Sequence, residues 1–142
     1  MKWEDKELLL KDLSARLPYK VVAQVTYKDS EGWKTEDRKV LGVYTDGQVY
    51  VDCVYTNIEN TKPYLRPMSS MTEEEKRHIS KMMCLRTYDN GVVYDMTYPV
   101  YTPYYVMEDC LSYLRSIHVD YSGLIEKGLA IEAQEEMYNL NK

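Results

Sequence analysis

The sequence has no phenylalanine, two histidines, three cysteines and no long apolar run. Each shortage excludes something. A bilayer-spanning helix needs about 20 predominantly apolar residues, and no stretch approaches that. The opening Met1-Lys2-Trp3-Glu4-Asp5 lacks the apolar stretch of a secretory signal. The expectation is a soluble, cytoplasmic protein without a membrane partner. Cys53, Cys84 and Cys110 are odd in number and form no Cys-x-x-Cys pair. That argues against a disulfide framework or a zinc ribbon, and for three small hydrophobes, each on an apolar face.

Positive charge is also short. Lys and Arg total 18 against 23 Asp and Glu, giving a net charge of −5. Nucleic-acid binding draws on a concentrated basic face that displaces counterions from phosphates. Lys34, Arg38 and Lys39 lie close together but do not amount to such a face, so no nucleic-acid partner is expected.

With so few histidines, catalytic currency is scarce. His78 lies six residues from Cys84 and His118 eight from Cys110, whereas neighbours on a helix face are three or four apart. No Gly-x-Ser-x-Gly, phosphate loop or dinucleotide fingerprint is present. His118 and Asp120, two apart, would chelate a metal only with a distant third ligand; a helix-end histidine near the last carbonyls is the simpler reading. No metal or cofactor is expected.

What the sequence does have is tyrosine: 15 of them, with 2 Trp. A buried Tyr needs a partner for its hydroxyl. So many tyrosines imply rings at the rim of the core, on sheet surfaces or binding surfaces.

The pattern along the chain predicts an α+β domain over residues 1–142, an antiparallel sheet of about four strands, meander first, packed with about three helices. Leu9, Leu13 and Leu17 make a helical stripe from Glu4 to Arg16, stopped by Pro18. Tyr19, Val21, Ala23, Val25 and Tyr27 alternate as a strand. A second strand is expected over Arg38 to Tyr44. A third, after the Asp46-Gly47 turn, runs from Gln48 to Thr56 with Val49, Val51, Cys53 and Tyr55 on one face. Asn57 to Met71, with Pro63 and Pro67, reads as a loop or edge segment. Thr72-Glu73-Glu74-Glu75 is a capping box opening a helix to about Leu85. A fourth strand is expected over Val92 to Met96, followed by extended chain through Tyr105 and a helix from Met107 to Ile117. Short turns follow from Asp120, and the end from Met137 is expected to fray.

Two proline-fixed stretches stand out as contact surfaces, since Tyr and Arg are enriched at hot spots and prolines lower the entropy cost of presenting an edge. One holds Tyr64 and Arg66. The other holds Tyr98, Tyr101, Tyr104 and Tyr105.

Three blocks, Leu8 to Tyr19, Lys62 to Glu75 and His118 to Ala130, resemble a family of small uncharacterised proteins of gut anaerobic bacteria, often in prophage or other mobile-element regions. In that family the closing block begins with paired histidines and an aromatic; here Ile117 and Val119 flank the single His118. The resemblance implies a mobile-element context and no mechanism, and it points to Tyr64, Arg66, Asp120 and Tyr121; His118 is a further binding candidate beside them. The expected function is a non-catalytic binding module contacting a host or phage protein, as a monomer or homodimer. Two alternatives remain. One is a nucleotide-like small-molecule binder with Arg66 on a phosphate; the other is a hydrolase-type enzyme using His118 and a carboxylate.

Overall fold

The computed structural model describes residues 1–83 and 104–138. Helix α1 (Trp3–Arg16) buries the predicted stripe, with Leu9 and Leu13 fully enclosed, each worth about 2 kcal/mol of transfer free energy. Beside them, on the same helix, Asp12 and Arg16 are also buried and pair with each other. After a single 3-10 turn over Leu17–Tyr19, Lys20 takes a left-handed conformation and the first strand starts. Tyr19 therefore belongs to the turn, not to the strand.

Strand β1 (Val22–Asp29) carries the expected alternation, Val21, Ala23, Val25 and Tyr27 all being buried. It pairs with β2 (Gly32–Lys39) through a tight hairpin at Ser30-Glu31. The second strand thus begins well before Arg38. Its stretch Trp33-Lys34-Thr35-Glu36-Asp37 has almost no apolar pattern because, at the sheet edge, one face is exposed and the other only half-buried. The antiparallel meander is the next unit: β3 (Gly42–Val43), β4 (Gln48–Val51) and β5 (Val54–Asn57) form a separate three-stranded sheet. The expected single strand over Gln48 to Thr56 is a hairpin. Asp52 and Cys53 both have positive φ and reverse the chain. Val49 and Val51 point to the core, while Cys53 is exposed at the turn and Tyr55 at the surface. Cys53 is therefore not on an apolar face.

The segment around Pro63 is not an edge. It holds β6 (Thr61–Leu65), an interior strand in the order β2-β1-β6-β7, where β7 (Ile131–Glu132) runs parallel to it. Pro63 is tolerated because Lys62 and Gln24 share the hydrogen-bonded pair toward β1. The missing Pro63 N–H faces the other side, where β7 pairs only from Tyr64 onward. The principal core lies between α1 and the inner faces of the two sheets, and includes Val25, Val49, Val51, Ile58, Leu65 and Leu124.

Helix α2 (Glu73–Met83) opens on the predicted capping box. The Thr72 N–H donates to Glu75 Oε1 (2.8 Å) and the Glu75 N–H to Thr72 Oγ1 (3.1 Å). Helix α3 (Tyr104–Ser116) packs against it, and a second apolar cluster of Met71, Leu114, Ile117 and Val119 lies beneath the pair. Tyr104 and Tyr105 open this helix instead of extending an edge. The expected strand over Val92 to Met96, Cys84, Tyr98 and Tyr101 lie outside the described residues. Among the described residues no helix is long and apolar enough to cross a membrane.

Candidate functional site

The three sequence blocks of the resemblance meet at one seam. Helix α3 ends in a Schellman motif: the Val119 N–H donates to the Leu114 carbonyl (3.0 Å) and the His118 N–H to the Arg115 carbonyl (3.0 Å). The motif demands a left-handed residue, and His118 supplies it at φ 62° where glycine is usual. The chain then runs alongside the end of β6. The Arg66 N–H donates to the His118 carbonyl (2.7 Å) and the Asp120 N–H to the Arg66 carbonyl (2.8 Å).

Side chains close the seam from both directions. The Arg66 guanidinium meets Glu75 in two bonds of 2.8 and 2.7 Å, and also donates to the carbonyls of Ile117 and Ser70. Those charge-assisted bonds hold the Glu75 carboxyl at a pKa of about 2. Arg16, 0% exposed, donates to Asp12 at 2.6 and 3.2 Å and to the Val119 carbonyl at 2.8 Å. Its Cζ sits 5.0 Å from the centre of the Tyr121 ring, and Arg115 holds the Tyr121 hydroxyl from Nε at 2.8 Å. The Asp120 carboxylate accepts the amides of Leu124 (3.0 Å) and Ile125 (2.9 Å) and so fixes the turn that follows. Tyr64 reaches across the outer face of the sheet and donates to Asp37 (2.6 Å).

A further participant comes from the C-terminal segment. Tyr138, in the segment expected to fray, stacks on His118 and inserts its hydroxyl between β1 and β6. That hydroxyl accepts the Val22 N–H (2.9 Å) and donates to the Tyr64 carbonyl (2.7 Å). Continuing the β1–β6 register would pair Val22 directly with Tyr64; the phenol takes that place. Burial pushes its pKa up to about 12. His118 is 5% exposed, and among the described residues its Nδ1 finds no hydrogen-bond partner. Burial, and then the positive charges of Arg16 and Arg66, bring its pKa down to about 4.

The geometry brings Tyr64, Arg66, His118, Asp120 and Tyr121 to one seam, where their side chains are engaged by other groups of the chain. Arg66, the group a phosphate would need, is taken by Glu75, and the cleft of about 710 Å³ beside it is lined by Glu132, Glu135 and Glu136. Asp120 faces backbone amides, not the His118 ring. Among the described residues no group of three or more His, Cys, Asp or Glu side chains is placed to hold a metal ion.

A second feature lies on the outer face of the three-stranded sheet. The Asp52-Cys53 turn sets Tyr50 opposite Tyr55, ring centroids 4.9 Å apart, and Tyr44 adjoins at 6.2 Å. Tyr55 is 57% and Tyr44 48% exposed. Sequence reasoning missed this cluster because it ran one strand through the turn; an Asp-Cys reversal carries none of the glycine that usually marks one. Comparison with protein-family models, curated proteins and solved structures found no match to this chain.

Proposed function

We propose that the chain is a non-catalytic binding module, acting in the cytoplasm by contact with a host or phage protein in a mobile-element setting. The supporting observation is the cluster of Tyr44, Tyr50 and Tyr55 on the outer face of the three-stranded sheet, with Tyr44 and Tyr55 exposed. Tyrosine brings large, rigid contact area at low entropy cost, with a hydroxyl that adapts to the partner. The polar seam supports the same reading from the other side. Its carboxylates and the Arg66 guanidinium are committed to one another and to backbone groups, so it serves as a frame that holds the sheets.

The test compares the tagged protein with a Tyr50→Ser/Tyr55→Ser variant, whose melting temperature is checked first. One protein should be enriched at fixed ratio by the wild type and, once purified, bind it directly. The variant should bind at least about 30-fold more weakly, as two hot-spot side chains imply. Undiminished binding by the folded variant would overturn the assignment of this face.

A further inference from the structure

Strand β2 is the edge of the four-stranded sheet, eight residues long and paired only with β1 among the described residues. Such an edge presents a row of free backbone donors and acceptors. Which ones are free follows from the register. The hairpin closes on the Asp29–Gly32 pair, and the Val40 N–H donates to the Val21 carbonyl (2.9 Å) two residues past the last even-numbered partner. Hydrogen-bonded pairs therefore fall on Gly32, Lys34, Glu36, Arg38 and Val40. Trp33, Thr35, Asp37 and Lys39 direct their backbone groups outward, and all four residues are exposed, Trp33 by 67%.

From these facts we infer that β2 pairs antiparallel with β2 of a second copy of this chain, the two-fold axis passing at Thr35. A two-fold axis normal to the sheet puts side chains of the same face opposite each other, so the axis must fall on a residue. With Thr35 on the axis, Lys34 faces the partner's Glu36, Glu31 faces the partner's Lys39, and Trp33 faces the partner's Asp37. Every charged pair in this register is of opposite sign and occurs twice. The neighbouring registers fail: Lys34 meets the partner's Lys34, Glu36 the partner's Glu36, or Asp37 the partner's Asp37. The exposed Trp33 indole lies diagonal to the partner's Lys39, whose stem covers it. A groove of about 740 Å³ already runs beside the edge, lined by Arg38, Lys39, Leu41 and Asp52. Lys34 bridges Asp29 (2.8 Å) and Glu36 bridges Arg38 (2.6 Å) within one chain, but both side chains, unlike Arg66 and Glu75, stay part-exposed and open to a second partner.

Sedimentation velocity over a range reaching on the order of 100 µM should show a concentration-dependent dimer. Thr35→Pro removes an outward N–H that the monomer does not use, so it should abolish the dimer while keeping the fold. Lys34→Glu sets carboxylates opposite each other and should also give a monomer, whereas Lys34→Glu/Glu36→Lys restores opposite signs and should restore the dimer. A wild type that stays monomeric throughout overturns the inference, as does a dimer that survives in folded Thr35→Pro. If Thr35→Pro does not fold, the charge pair decides: a folded double variant that stays monomeric overturns it.

Discussion

The Tyr138 ring lies flat against that of His118, centroids 3.5 Å apart and planes within 10°. Neither residue belongs to a helix or strand, yet together they join three elements. His118 ends α3 and its carbonyl accepts the Arg66 N–H at the end of β6, while Tyr138 carries the C-terminal segment back over the seam and bonds β1 to β6. The contact is aromatic, but its anchoring is polar: a phenol hydroxyl on one side and a strained Schellman residue on the other.

Tyr138→Phe separates these roles. The ring and its stack survive, but the Val22 N–H and the Tyr64 carbonyl lose the group that satisfies both. A buried donor and acceptor left unpaired cost about 1–3 kcal/mol. Urea denaturation should show that loss with an unchanged m-value; a variant as stable as wild type would mean the strands re-pair directly.

His118 pays for its left-handed backbone, and the cost can be isolated. Ala and Gly at this position both abolish the stack on Tyr138, but only Gly occupies φ near +60° without strain. His118→Gly should therefore be more stable than His118→Ala by about 1 kcal/mol, the reverse of their order inside a helix. Equal stabilities would show that the turn relaxes when the histidine is gone.

Local signals made much of this fold legible. The alternation from Val21 to Tyr27 and the Thr72–Glu75 box are each decided by residues within a few positions of one another, and both formed as read. The reading failed where the deciding partner is distant. Pro63 looked like an edge signal, but an interior strand accepts it because β7, from the far end of the chain, starts one residue later. The edge strand β2 escaped because neither of its faces is buried, one being exposed and the other half-buried, so its charged sequence has no apolar rhythm. Within the seam, Tyr64, Arg66, His118, Asp120 and Tyr121 were singled out from the sequence, as candidates for contact with a partner. Their partners Arg16, Glu75 and Tyr138 were not, since each comes from another element and Tyr138 meets Val22 across 116 positions.

Acid should loosen the seam in two stages, and the sign follows from each group. His118 titrates near 4 in the folded chain against an ordinary 6.5, so the unfolded chain binds its proton more tightly. The stability that comes from keeping it neutral is complete above about pH 6.5 and is lost as pH falls from there toward 4, on the order of 2 kcal/mol between pH 7 and 5. Glu75, held at about 2 by Arg66 against an ordinary 4.5, adds a second loss as pH falls from 4.5 toward 2. His118→Asn tolerates the left-handed backbone and removes the first titration. Its unfolding free energy should thus be flatter than wild type between pH 7 and 5, while the steeper fall below pH 4.5 remains. Parallel curves for the two proteins across the upper window would show that His118 is already solvated enough to take up its proton in the folded state.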